Sequence, residues 1–149
     1  MTKVLLVDDE PRILLMMKSL LKTNGFDVET AKDGASALEI VRKGETQIVV
    51  TDLRMQPMDG MTLFKEIHAF NGDIPVILLT AYASVDTALE AMKCGIFEYL
   101  TKPFKVDDML ACLKRAEDKV LKTNSVMISA NAPIRYRFEN MIANMFSKR

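Results

Sequence analysis

The chain has 149 residues, of which 49% are hydrophobic and 27% charged, which fits one globular domain with a short remainder. Twenty basic and twenty acidic residues leave a net charge of zero, so the chain lacks the electrostatic footprint of a nucleic-acid binder, and direct binding to DNA is not expected. No apolar run approaches the roughly 18 residues of a membrane span, and no basic segment with an apolar stretch precedes the first strand, so a cytoplasmic protein is expected.

Short β-rich runs alternate with amphipathic stretches five times. Strands are predicted at residues 3–7, 27–31, 47–51, 75–79 and 97–101, and helices at 11–23, 35–43, 61–70, 85–94 and 106–122. Pro11 suits a first helical turn, Asp33 and Ser84 suit N-caps, and Gly25, Gly44, Gly72 and Gly95 each follow a helix as C-cap glycines do. Regular alternation of this kind makes a parallel sheet with helices on both faces, an α/β doubly wound (βα)5 fold. With right-handed crossovers, the flavodoxin-like strand order 2-1-3-4-5 is its natural closure, and the order reverses between strands one and three.

Those two strands carry the acids. Asp8 and Asp9 directly follow Val4-Leu5-Leu6-Val7, and Asp52 directly follows Ile48-Val49-Val50-Thr51. Side chains just beyond strands at a reversal point converge in one crevice, so three carboxylates are expected there. They repel one another unless a cation neutralises them, and hard oxygen ligands suit Mg²⁺. Acids after strands also serve as helix caps or loop residues, but two strands with the same ending weaken that reading. Thr80 after strand four, Lys102-Pro103 after strand five, Asp59-Gly60 in the loop after Asp52, and Tyr99 belong to the same sheet edge. A hydroxyl, an ammonium, a metal and a carboxylate together can bind a phosphoryl group, with a carboxylate as nucleophile.

Other features read as structural. Cys94 and Cys112 have no companion ligand and read as buried free thiols, and the eleven methionines are scattered at core-like positions. His68 lies on the predicted third helix without a second ligand and reads as solvated. The stripe Val106, Met109, Leu110, Leu113, Ala116, Val120 and Leu121 reads first as sheet cover, with a dimer seam running into the tail as the alternative. After residue 122 the periodicity lapses to 133, and a short basic amphipathic piece runs from 134 to 149. The domain is therefore placed at 1–122, and 123–149 reads as a linker or C-terminal tail.

Val7-Asp8-Asp9-Glu10, Thr51-Asp52-Leu53-Arg54-Met55, Leu79-Thr80-Ala81 and Tyr99-Leu100-Thr101-Lys102-Pro103-Phe104 resemble, in order and spacing, the receiver domains of two-component response regulators. The resemblance implies that Asp52 accepts a phosphoryl group from a sensor histidine kinase. It implies that Asp9 ligates Mg²⁺ directly, that Asp8 acts partly through water, and that the Arg54 backbone carbonyl completes the protein ligands beside Asp52. It further implies that Lys102 pairs with the phosphoryl group, that the Lys102–Pro103 bond is cis, and that Thr80 and Tyr99 form a switch pair. The surface of helix four, strand five and helix five would then change shape and could form a homodimer. Within the family, the chain looks most like the receivers of nitrogen-regulatory-type, sigma-54-dependent activators. Phe138-Glu139-Asn140-Met141-Ile142 resembles the start of their AAA+ domain, though no GxxxxGK[ST] phosphate loop occurs in this sequence. The chain departs from the family where Met55-Gln56-Pro57-Met58-Asp59-Gly60 carries its proline one position late, which puts the loop path after Asp52 in question.

Two other readings use the same residues. A haloacid-dehalogenase-like, Mg²⁺-dependent phosphatase also uses a strand-end Asp nucleophile but wants a second Asp two residues later, where this chain has Arg54. A phosphorylation-independent binding module would keep the pocket without using it.

Overall fold

A computed structural model describes residues 1–128, so the expectations for residues beyond 128 lie outside the described residues. The elements run β1 (Lys3–Val7), α1 (Pro11–Thr23), β2 (Asp27–Ala31), α2 (Gly34–Arg42), β3 (Ile48–Asp52), α3 (Gly60–Phe70), β4 (Val76–Thr80), α4 (Val85–Lys93), β5 (Glu98–Thr101) and α5 (Val106–Ile128). All strand pairs are parallel, in the expected order β2-β1-β3-β4-β5.

A strand buried on both faces reads as a continuous apolar run, and the packing shows why β1, β3 and β4 do. Val4, Leu6, Ile48, Val50, Ile77 and Leu79 face α1 and α5, where Met17, Leu21, Met109, Leu113 and Ala116 close over them. Leu5, Val7, Val49, Val76 and Leu78 face the other way, under Ala37, Leu38 and Val41 of α2, Leu63, Phe64 and Ile67 of α3, and Ala91 of α4. The α5 stripe divides accordingly: Met109, Leu113, Ala116 and Val120 are buried as sheet cover, and Val106 and Leu121 stay about half exposed. Cys112 is fully buried and Cys94 partly so; both are free thiols, and burial pushes the Cys112 thiol up to about 12.

The element ends follow local chemistry. Asp33 accepts from the Ser36 amide at 2.8 Å, and Ser84 and Thr87 form a reciprocal capping box that opens α4. Asp59, assigned from sequence only to a loop, also caps a helix, accepting from the Thr62 amide at 2.7 Å. Gly25, Gly44 and Gly95 take positive φ after α1, α2 and α4. Gly72 does not: α3 ends instead at Asn71 in extended backbone. α5 passes the expected end at Lys122 and continues to Ile128. Thr123, Asn124 and Ser125 are weak helix formers, but they cost only tenths of a kcal/mol each, and no glycine or proline intervenes before Pro133.

Strands β3 and β4 each extend one residue beyond the expected boundary, so Asp52 and Thr80 are the last residues of their strands. Asp52 therefore sits inside the ladder, opposite Leu79 of β4. The loop after it buries Met55, passes through a cis Gln56–Pro57 bond and returns so that the Gly60 amide donates to the Leu53 carbonyl at 2.8 Å. The displaced proline is thus accommodated, and α3 starts directly against the end of β3. That approach leaves no room for a side chain: a Cβ at Gly60 would be driven into the Asp52 carbonyl oxygen. Gly60→Ala should accordingly destabilise the domain by about 1–3 kcal/mol, as other overpacked sites do, with a lower urea midpoint at unchanged slope.

Candidate functional site

The strand order puts the ends of β1 and β3 side by side, with Val7 paired to Thr51, so the residues that follow them share one crevice. Asp8, Asp9 and Asp52 each offer a carboxylate oxygen there, all within 4.8 Å of one another. They differ in exposure: Asp8 is buried, Asp52 partly buried and Asp9 exposed. Asp8 is held at both oxygens, Oδ1 accepting from the Glu10 amide at 2.9 Å and Oδ2 from Lys102 Nζ at 3.2 Å.

Lys102 comes from the far side of the sheet. Its amide donates to the Thr80 carbonyl at 2.8 Å, extending the β4–β5 ladder by one bond, and the expected cis Lys102–Pro103 peptide follows. Its ammonium lies 3.8 Å from Asp52 Oδ2 and between that carboxylate and Asp8. Burial pushes the Asp52 carboxyl above the ordinary range; Lys102 pulls it back, the Asp8 charge pushes it up again, and the Arg54 and Leu53 amides pull it down. Asp52 is thus a partly desolvated carboxylate whose ionisation is opposed by its own surroundings and by its acidic neighbour.

Thr80 is fully buried, and its Oγ1 accepts from the Tyr82 amide at 2.9 Å. Tyr99 is only partly buried, packs against the α2–α3–α4 side of the core, and meets Thr87 Oγ1 through its hydroxyl at 2.9 Å. The crevice therefore brings together Asp8, Asp9, Asp52 and Lys102; Thr80 ends the adjacent strand, and Tyr99 stands apart on β5, pairing with Leu78.

Two contacts were not read from the sequence, although Arg54 and Tyr82 by their positions flank the expected phosphoryl group. The Arg54 guanidinium carbon lies 3.9 Å from the centroid of the Tyr82 ring, closing a contact between the loops that follow β3 and β4. The second is Thr87, whose link to Tyr99 crosses between two elements; its only sequence signal was the Ser84-x-x-Thr87 spacing of a helix start. His68, exposed on α3, tilts against the Phe64 ring at 5.6 Å and lies away from the acidic crevice.

Residues 4–114 match the sequence family described as the response regulator receiver domain. The transcriptional regulatory protein ZraR of Escherichia coli (strain K12) is 43% identical over 113 residues, which is 76% of this chain and 26% of ZraR. The regulatory protein AtoC of the same organism is 39% identical over 114 residues, 76% of this chain and 25% of AtoC. The chain thus spans about a quarter of the length of these relatives. Among solved structures, a receiver domain protein of Clostridium thermocellum superposes with a TM-score of 0.77 at 32% identity, covering 85% of this chain and 99% of the other. The response regulator TrrA of Thermotoga maritima, solved in complex with Mg²⁺ and BeF, gives 0.72 at 32% identity, covering 78% and 99%. A dehalogenase-like phosphatase is not favoured, since an arginine stacked on Tyr82 occupies the place of its second acid. With the 2-1-3-4-5 sheet, the acidic crevice and the match over residues 4–114 in agreement, the chain belongs to the receiver domains of two-component response regulators.

Proposed function

We propose that Asp52 accepts a phosphoryl group from the phosphohistidine of a sensor histidine kinase and that the chain performs this step as a signalling domain rather than as a turnover enzyme. The observation that carries the proposal is the convergence of Asp52 with Asp8, Asp9 and Lys102 at one sheet edge. An Asp52 carboxylate oxygen attacks phosphorus, the new O–P bond forms as the P–N bond breaks, and the histidine nitrogen leaves with the electron pair. Lys102 is placed to meet charge on the phosphoryl oxygens, and Thr80 ends the neighbouring strand, where its hydroxyl could donate to one of them.

The residues fit a Mg²⁺ ion. Octahedral Mg²⁺ at 2.0–2.1 Å separates ligand oxygens by about 2.9–4.1 Å, and the three carboxylates lie within 4.8 Å of one another, close enough for side-chain rotation to bring them toward one ion. Asp9, Asp52 and the Arg54 carbonyl would hold it, with Asp8 acting partly through water; when bound it would offset the charge of the carboxylates and of the phosphoryl oxygens.

The output side is α4, β5 and α5. Val85, Leu89 and Met92 form a stripe on α4 at 75%, 48% and 68% exposure, with Val106 exposed at the start of α5, and this supports a docking surface for a partner or a second copy. Within a longer cytoplasmic protein, the domain would control transcription of the sigma-54-dependent kind; among the described residues no helix is long and apolar enough to cross a membrane.

Intact-protein mass after incubation with acetyl phosphate and Mg²⁺ should rise by one phosphoryl group, and the gain should be absent in Asp52→Asn and in EDTA. No gain in the unsubstituted protein would leave the binding-module reading in its place. A second expectation follows from charge. Because the Asp52 carboxyl is raised in the fold, the native state holds more protons than the unfolded chain as pH climbs from the ordinary value of 3.8, and stability is lost over that interval and stays lost at neutral pH. Asp52→Asn should therefore be the more stable protein in EDTA at pH 7, with its advantage shrinking toward pH 4 in denaturation curves. Mg²⁺ at a hundredfold excess over Kd should add about 2.7 kcal/mol to the unsubstituted protein and markedly less to the variant. Finally, Arg54 lies two residues after Asp52 and Tyr82 two after Thr80, and the stack they form would hinder water from reaching the acyl phosphate. Arg54→Ala combined with Tyr82→Ala should shorten the phosphorylated lifetime by about two- to fivefold, the worth of one exposed cation–π contact, as followed by loss of the added mass.

A further inference from the structure

α4 is attached to the rest of the domain by few groups. Ala91 is its buried residue, and among the described residues two polar ties reach it from neighbouring elements: Lys65 of α3 meets Glu90 at 2.9 Å with both side chains about half exposed, and Tyr99 of β5 meets Thr87 at 2.9 Å. The second tie is chemically unusual. A threonine hydroxyl has one proton and two lone pairs, yet Thr87 Oγ1 lies within bonding distance of four atoms: Ser84 Oγ at 2.8 Å, Tyr99 OH at 2.9 Å, the Ser84 carbonyl at 3.1 Å and the Ser84 amide at 3.3 Å. The Ser84 amide and the Tyr99 hydroxyl can fill the lone pairs while the Thr87 proton goes to Ser84. Withdrawing Tyr99 therefore costs Thr87 one bond of several and leaves the capping box that starts α4 closed.

We infer that Thr87 is a positioning residue of the phosphorylation switch: its hydroxyl fixes Tyr99 in the unphosphorylated arrangement and ties the start of α4 to β5. The inference rests on the reading that phosphorylation of Asp52 acts through Thr80 and Tyr99. Its physical route is continuous. Thr80 Oγ1 is held by the Tyr82 amide at 2.9 Å, two residues before the Ser84 cap, and Ser84 shares the Thr87 hydroxyl with Tyr99. Turning the Thr80 hydroxyl toward a phosphoryl group on Asp52 frees the Tyr82 amide, shifts the loop that carries Ser84, and disturbs the bond between Thr87 and Tyr99. The arrangement with Thr80 turned to Tyr82 and Tyr99 bound to Thr87 is then one state, and losing either hydroxyl favours the other.

Beryllofluoride with Mg²⁺, titrated onto the full chain and followed by amide NMR spectra, reads this equilibrium. Tyr99→Phe deletes the shared bond while sparing the capping box, and it should bind beryllofluoride about fivefold more tightly, the equivalent of one neutral hydrogen bond. Thr87→Val, which also opens the capping box, should tighten binding at least as much, the double variant should gain no more than Thr87→Val alone, and Thr87→Ser should return to the unsubstituted affinity. Unchanged or weaker binding in Tyr99→Phe, additive effects in the double variant, or failure of Thr87→Ser to rescue would each overturn the role of Thr87. If the unsubstituted chain itself takes up no beryllofluoride, the phosphoacceptor reading falls first and the inference with it.

Discussion

Three carboxylates within 4.8 Å of one another must share a counter-charge, and the end of β5 brings one from the protein. Lys102 spans the distance, 3.2 Å from Asp8 and 3.8 Å from Asp52, and much of the surrounding architecture serves that placement. The reversal of strand order sets β1 beside β3, so that two acidic strand ends meet. The backbone bond from Lys102 to the Thr80 carbonyl then extends the β4–β5 ladder toward them. An ammonium held between two carboxylates offsets part of their repulsion and leaves the rest, and a group that adds further negative charge there changes a balance that is already close.

How legible this was depended on which interaction fixed each residue. Sheet order and the buried faces could be read because apolar runs, helix caps and right-handed crossovers all pointed to one closure. Asp8, Asp9 and Asp52 could be read because strand ends at a reversal point converge in one crevice, whereas Lys102, at the end of the edge strand, was read from the receiver resemblance. Boundaries were less legible: Asp52 and Thr80 lie inside their strands since ladder pairing continues as long as a neighbour offers a partner, which no single run of sequence records. α5 outran its apolar period because nothing in Thr123-Asn124-Ser125 forbids a helix. Gly72 was misread since Asn71, in extended backbone, already ends α3.

The least legible features are the contacts that join separate loops. Arg54 against Tyr82 and Thr87 against Tyr99 link residues 28 and 12 positions apart through surface geometry alone. Their sequence neighbours explain other things: Arg54 follows the acid of β3, and Thr87 completes a helix cap. In both cases one residue serves local structure with some of its atoms and a longer-range contact with the rest, and only the first use leaves a pattern along the chain.

The distribution of buried surface gives these contacts their consequence. α3 commits five residues to the interior and α4 commits Ala91 alone, although both cover the same side of the sheet. A segment with little buried apolar area and exposed polar ties opens at a small fraction of the global unfolding free energy. A phosphoryl group adds about −1.5 to −2 charges beside the crevice, enough to reorient a buried hydroxyl but small against the packing of α1, α3 or α5. The same disturbance is comparable to the few hydrogen bonds that seat α4. Under the proposed reading, the helix bearing the exposed Val85, Leu89 and Met92 stripe is thus the element whose position a charge event at Asp52 would most readily change.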